Sequence, residues 1–368
     1  MAKDRTRSST ARTIPGWTVP LVVIGAVLLA EVGARIVGPN VPRQSGSEER
    51  AYVKADQIYS RKGPTDLVIL GSSESGAGLI PSTILKEATS LHGGYNASLV
   101  GAPLGITREW ASRVVLPQLD PKVVVVGIFP SAVVDLTGLK TDPKDHTIAA
   151  YRSAFDLIDP GGLGSLGWKL RQESALIRYR PYLRKPADVW EGLRTTVSGG
   201  ADQPDPKGLT MDARTETDPA KVKALTAADG EILEYRQPSP EGTSNAVAVA
   251  AFTQVAKLPL DFRPLGALFD EIEASGARPV LAVAPIDRGV LERDGARLDG
   301  IDGIEHRLQA WAARRDIPVF SEFSQSWQAS WFNDRQHVSD AGAEQWSKEL
   351  GTWLQEQCTS GTLGDACH

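Results

Sequence analysis

Two short stretches of this 368-residue chain carry residue types suited to nucleophilic chemistry. The first is "VILGSSESG", an apolar run that begins at Val68, stops at Gly71 and breaks into Ser72, Ser73, Glu74 and Ser75. The second is "WFNDRQHVSD", where Asp334 precedes His337 by three residues and Ser339 and Asp340 follow. A serine hydroxyl attacks poorly until a base takes its proton, and the base needs an acceptor on its other ring nitrogen to fix its tautomer and hold its charge. An Asp and a His three apart in one turn meet that need, so Ser73, Asp334 and His337 form a candidate catalytic set. The plainer alternatives are a helix N-cap for the serines and a solvated loop for 334–337, ahead of a helix capped by Ser339 or Asp340.

Such groups need a scaffold that brings them together. "DLVILG" (66–71), "YNASLV" (95–100), "KVVVVGIF" (122–129), "RPVLAVA" (278–284) and "DIPVFS" (316–321) are short, rich in β-branched residues and apolar on both faces. That pattern fits parallel strands covered by helices. Helical patterns fill the gaps at about 81–91, 105–118, 262–276, 301–315 and 340–357, the third ending at Gly276 in the manner of a C-cap. The alternation predicts a three-layer α/β/α fold with a central parallel sheet, in which reacting groups gather at the carboxyl ends of the strands. Gly71–Ser75 is such an end. Residues 138–250 break the rhythm and read as an insertion, partly helical and partly loop, serving as a lid or a partner surface; for 198–245 a poorly ordered excursion is an equal alternative.

The composition, 41% apolar and 23% charged, is that of a folded protein, and the net charge of −5 without a basic stripe in the body of the chain argues against nucleic-acid binding. Only the N-terminus is basic. Residues 1–15 read as a cytoplasmic tail, 16–38 as a transmembrane anchor, 39–60 as a linker, 61–357 as the catalytic domain and 358–368 as a C-terminal tail. About 20 mostly apolar residues cross a bilayer, and Glu31 and Arg35, four apart, can pair near the outer interface. The rival reading is a signal peptide cleaved after "VGA" at Ala34. Both readings export residues 39–368. The two cysteines, Cys358 and Cys367, fit one disulfide in an oxidising compartment, with two unpaired thiols as the alternative. A glycosylation acceptor, "NAS" at Asn96, falls in an expected buried strand and is discounted for that reason.

The order of these blocks resembles the SGNH (GDSL-type) hydrolase superfamily across roughly residues 66–350. "LGSSES" matches its first block and puts Ser73 in the nucleophile position. "YNASLVGA" matches the second, which implies that the Gly101 N–H donates to an oxyanion, alongside that of Ser73. Asp334 and His337 match the closing Asp-x-x-His. Two positions depart from the pattern: Ser72 stands where an Asp is usual, and "GIFPSAVVD" has Phe129 where the oxyanion Asn would fall, leaving Ser131 or a backbone N–H as a substitute. The pattern is also similar to a membrane-anchored extracytoplasmic branch that includes teichoic-acid D-alanylation and alginate and peptidoglycan O-acetylation proteins. The resemblance implies an esterase or O-acyltransferase with no metal or organic cofactor. Its substrate would be an acyl ester or cell-envelope polysaccharide, with a polytopic membrane O-acyltransferase as a further partner. The alternative is an inactive binding or assembly module on the same fold.

Overall fold

The computed structural model describes residues 17–40, 46–135, 145–159, 163–198, 219–236 and 257–367. In chain order these form helix α1 (Thr18–Val37), α2 (Gly46–Ser60), strand β1 (Leu67–Gly71), α3 (Ser73–Gly78), α4 (Pro81–Glu87), β2 (Gly94–Asn96) and α5 (Leu104–Trp110). A π turn (Ala111–Val115) leads to α6 (Leu116–Leu119), β3 (Val123–Ile128), α7 (Asp145–Ile158), α8 (Gly164–Glu173), α9 (Ala175–Leu183) and α10 (Pro186–Val197). Then follow α11 (Pro219–Ala224), α12 (Arg263–Ala274), β4 (Arg278–Val283), α13 (Arg288–Arg293), α14 (Asp299–Ala313), β5 (Val319–Ser321) and α15 (Asp340–Thr359). The chain divides into two compact units, Met1–Arg43 with Lys169–Asp205, and Gln44–Trp168 with Pro206–His368.

The larger unit is built on a five-stranded, all-parallel sheet in the order β2-β1-β3-β4-β5. Period-two alternation decides which side chain goes to which layer. Val68, Leu70, Val124, Val126, Leu281 and Val283 pack on one face with Trp110, Tyr151, Phe155 and Phe269. Leu67, Ile69, Val123, Val125, Val280 and Ala282 pack on the other with Ile84 of α4 and Trp346, Leu350 and Leu354 of α15. Because both faces are covered, β1 and β3 are buried at every position, which is why they read as unbroken apolar runs. The expected α/β/α layering is what the chain adopts. At the end of α12, Gly276 takes a φ of +89° and the Ala277 N–H donates back to the Ile272 carbonyl, which closes the helix as the sequence suggested.

Four expected segments differ. Residues 46–60, read as linker, form α2, whose Ala51, Tyr52, Ala55 and Ile58 lie in the core; the helical spacing of these residues was hidden by the polar residues between them. The C-terminal tail is not free either. Cys358 and Cys367 are joined in a disulfide, and with Leu363 they pack on the sheet face that carries Trp346, Leu350 and Leu354. The strand expected over 95–100 ends at Asn96, although Ala97 and Leu99 still donate to the Ile69 and Gly71 carbonyls. Gly101, with φ of +64°, turns the chain there, so 98–103 becomes a loop at the sheet's carboxyl edge. The insertion expected over 138–250 is not one body: α7 places Tyr151, Ala154, Phe155 and Ile158 in the core, whereas 199–218 and 237–256 lie outside the described residues.

In the smaller unit, α1 is a 20-residue apolar helix, long enough to cross a membrane. Arg35 Nε donates to Glu31 Oε1 at 2.9 Å, the i, i+4 pair the spacing predicts. The Glu31 carboxylate also accepts from Ser174 Oγ and from the Ala175 and Leu176 N–H groups at 2.8, 2.8 and 3.1 Å, and so caps the start of α9.

Candidate active site

The strand order reverses direction at β1, where the chain passes out to β2 and then back to β3. Ligands of open α/β sheets bind beyond the strand ends at such a switch point. Here the ends of β1 and β3 border a pocket of ≈ 540 Å³ lined by Ser73, Gly101, Phe129, Ser131, Tyr235 and His337 among others.

Ser73 reaches this place through tight backbone packing. Gly71 has φ of +152°, and a Cβ there would run into the Gly127 carbonyl of β3. The same two glycines make room for Ser75, whose Oγ donates to the Gly127 carbonyl at 3.1 Å. Ser75 is therefore a structural serine. Ser72 also points elsewhere, donating to the Glu74 carboxylate. Ser73 is the first residue of α3 and is 9% exposed; as a first-turn residue its N–H has no acceptor inside the helix. The Ser-rich strand end thus gives each hydroxyl its own task, and only that of Ser73 meets the histidine.

The facing loop is organised by Asp334. Its Oδ1 accepts from the Gln336 and His337 N–H groups at 2.9 and 2.7 Å, an Asx-type turn. Asn333 N–H donates to the His337 carbonyl at 2.9 Å, and Phe332 and Val338 form an antiparallel bridge, so the loop closes on itself. Asp334 Oδ2 lies 2.8 Å from His337 Nδ1. On the other side of the ring, Nε2 lies 2.9 Å from Ser73 Oγ. A carboxylate only accepts, so Nδ1 carries the proton, Nε2 accepts, and the Ser73 hydroxyl donates. The His337 side chain is 3% exposed and that of Asp334 8%. Ser339 caps α15, accepting from the Gly342 N–H at 3.4 Å.

Asn96, expected as a block residue of the second strand, does structural work. Its amide Nδ2 donates to the Ser75 and Leu79 carbonyls at 2.9 and 2.8 Å, and its Oδ1 accepts from the Ser98 N–H. It is wholly buried, which also closes the glycosylation question in the folded protein. Gly101 lines the pocket. Phe129 and Phe323 pack with their rings at 75° to each other and centroids 5.6 Å apart. Ser131 reaches the pocket wall, one residue into the turn that follows β3. Among the described residues there is no group of three or more His, Cys, Asp and Glu side chains arranged to hold a metal.

Two residues at the site escaped the sequence reading. Glu74 places Oε2 3.5 Å from Ser73 Oγ. Tyr235 stacks on the His337 imidazole, with centroids 4.6 Å apart and planes at 30°. Tyr235 comes from a clamp, residues 226–236, that Thr226 and Ile232 pinch together in an antiparallel bridge. The clamp is fastened on every side. Ile232 N–H donates to the Gly76 carbonyl, Asn96 N–H donates to the Asp229 carbonyl, and Arg236 Nε donates to the Ala77 carbonyl at 2.6 Å. From α2, Arg50 pairs with Glu234, and Lys54 Nζ donates to the Asn96 and Gly230 carbonyls. Burial, aided by nearby Arg50, pulls the Lys54 ammonium down to about 7. Glu231 pairs with Arg236 at 2.7 Å, yet burial together with Asp229 pushes its carboxyl up to about 7 against the pull of Arg236.

No family model matches the chain, and no curated protein matches it. Among solved structures it is similar to a Bacteroides fragilis protein described, provisionally, as an acylhydrolase, at 11% identity and a TM-score of 0.35, over 84% of this chain and 95% of that one.

Proposed function

We propose that this chain is a serine acyl-transfer enzyme in which Ser73, His337 and Asp334 act as one relay. The observation that carries the reading is the unbroken series of contacts from Asp334 Oδ2 to His337 Nδ1 and from His337 Nε2 to Ser73 Oγ, at 2.8 and 2.9 Å, on the wall of a pocket. Ser73 Oγ attacks the acyl carbonyl of an ester while its proton passes to His337 Nε2. The C–O bond to the leaving alcohol then breaks, and the alcohol oxygen takes that proton. In the second half, water or a sugar hydroxyl attacks the acyl-Ser73 ester, its proton moves to His337, and Ser73 leaves with it. The Ser73 and Gly101 N–H groups hold the oxyanion, each such donor being worth about 3 kcal/mol in comparable sites. Ser131 is the candidate third donor in place of the missing Asn.

The acceptor decides between esterase and O-acyltransferase. We assign the chain to the outer face of a membrane, held by residues 16–38 with the basic N-terminus inside, and its acceptor to the cell-envelope polysaccharides, with a polytopic acyltransferase as donor partner. Labelling with a serine-directed fluorophosphonate tests the chemistry. Wild type is expected to label and Ser73→Ala not, with unchanged circular dichroism. Equal labelling of both would sink the assignment and favour a binding module that has kept the fold alone.

A further inference from the structure

Helix α10 is built inside out. Its packed face is small or polar: Gly192 and Thr195 are buried and Val189 and Thr196 half-buried. Its large apolar residues point away from the protein, Trp190 at 68%, Leu193 at 40% and Val197 at 82% exposure. Positions 190, 193 and 197 fall on one stripe of a helix. A helix at the surface of a water-soluble body does the reverse, and an exposed apolar stripe marks a surface that something else covers.

What covers it is indicated by where the helix is held. Asn40, three residues past the end of α1, donates from Nδ2 to Thr196 Oγ1 at 2.8 Å, so α10 is tied to the point where the candidate span ends. Helix α9 is tied slightly deeper, through its N-terminal N–H groups, to Glu31. At 1.5 Å per residue Glu31 lies about 9 Å before Val37 along the helix axis. If α1 spans a bilayer, α9 and α10 are therefore at the depth of the headgroups. Helix α1 is itself apolar on its exposed surface there, with Leu29, Val32 and Ile36 each more than half exposed. The charge agrees: residues 169–198 contain seven Lys or Arg against three Asp or Glu, in a chain whose net charge is −5. A basic rim, an outward Trp and an apolar stripe are what an interfacial helix on anionic lipid presents.

We infer that α9 and α10 form a platform that lies in the membrane interface beside α1, with Trp190, Leu193 and Val197 set into lipid and the basic residues at the headgroups. This inference rests on the membrane-anchored reading above. The platform would restrain the orientation of the smaller unit at the surface in a way a single helix cannot.

The test uses the full-length protein in vesicles of phosphatidylcholine and phosphatidylglycerol, with a nitroxide on one introduced cysteine at a time: Trp190→Cys, Leu193→Cys, Val197→Cys, Arg194→Cys and, within α1, Leu28→Cys. All five side chains are exposed, and none belongs to a buried core cluster. Power saturation compares collisions with oxygen, which partitions into lipid, against a water-soluble nickel chelate. The ratio at 190, 193 and 197 is expected to exceed that at 194 by about threefold or more, with 28 highest, as an interfacial helix requires. A lipid-like ratio at 28 with a water-like ratio at 190, 193 and 197 overturns the platform and leaves the anchor standing. A water-like ratio at 28 as well overturns both. Spin–spin broadening at 190–197 that vanishes on dilution with unlabelled protein would show a second copy on the stripe, and also overturns the lipid assignment.

Discussion

His337 is held by two regions of opposite character. One is its own loop, where Asp334 three residues away supplies both the turn that shapes the backbone and the carboxylate that meets the ring. The other is the clamp, where Tyr235 arrives from a distant segment and covers the ring face. In the loop, one side chain encodes geometry and chemistry together. In the clamp, the contact depends on where a separate piece of chain lies, which backbone hydrogen bonds to α3 and β2 and a buried set of charges, Arg50 with Glu234 and Lys54 on two carbonyls, help to fix. Local devices survive as spacing in the sequence, and long-range ones do not.

The largest expected effects test the loop. Ser73→Ala or His337→Ala should lower turnover of an activated acyl ester by on the order of 10⁴-fold or more, and the double variant should be scarcely worse, because groups in one relay are not additive. Asp334→Asn should cost somewhat less than loss of either: an amide Oδ1 can still accept from the Gln336 and His337 N–H groups, while an NH₂ donor replaces the Oδ2 that meets the ring. Additive losses in steady-state kinetics would separate Ser73 from His337 and break the relay.

The same contrast explains what could be read in advance. Strands β1 and β3 are the most legible because strands buried on both faces must be apolar at nearly every position, whereas the close packing of Gly71 and Gly127 around Ser75 emerges only in the fold. Ser73, Asp334 and His337 are legible because a hydroxyl at a strand end and an Asp-x-x-His turn each carry their geometry locally. Helix α2 was missed because its core face is made of Ala51, Tyr52, Ala55 and Ile58, too small and too interrupted by charge to stand out, and its Arg50 and Lys54 look like solvent-facing residues until the clamp is in place. Tyr235 was missed for the same reason: nothing within a turn of it in sequence points to an imidazole.

The clamp's charges should matter to stability almost as much as the relay does to rate. The Arg50 and Glu234 side chains are 1% and 5% exposed. Removing one partner of such a pair strands a buried charge, at a cost of about 3–5 kcal/mol, whereas replacing both with apolar residues of similar size is close to neutral. Arg50→Met should therefore lower the urea midpoint strongly, and Arg50→Met with Glu234→Leu should restore most of it. If the single variant is as stable as wild type, the clamp is not held as described.

Next in size is the stacking itself. An aromatic face on a ring that becomes cationic during turnover is worth about 0.5–2 kcal/mol, so Tyr235→Leu should lower kcat by about twofold to 30-fold with little change in KM, and Tyr235→Phe should keep most of the activity. An equal loss in Phe and Leu would place the effect in the hydroxyl rather than the ring face.

The smallest expected effect is a pH dependence that belongs to the clamp. Glu231 has its carboxyl pushed up by burial to about 7 from an ordinary value of 4.5. A group whose pKa is raised on folding contributes stability that is complete below its unfolded value and is lost as pH climbs through the folded one. The clamp should thus weaken between pH 4.5 and 7, modestly, since the Arg236 ion pair opposes the effect of burial. Lys54 does not confuse this window: its folded value of about 7 lies below its unfolded 10.5, so its own contribution changes mainly above the window. Glu322 does titrate there, raised to about 7 by burial and by Glu349. It lies outside the pocket lining, and this provides the control. Melting temperatures measured across pH 4.5–7 should fall less steeply in both Glu231→Gln and Glu322→Gln, but only Glu231→Gln should also change how turnover varies over that range, because only Glu231 shares a clamp with the ring that covers His337. If the two variants behave alike in both measurements, the clamp holds the fold together without shaping the site.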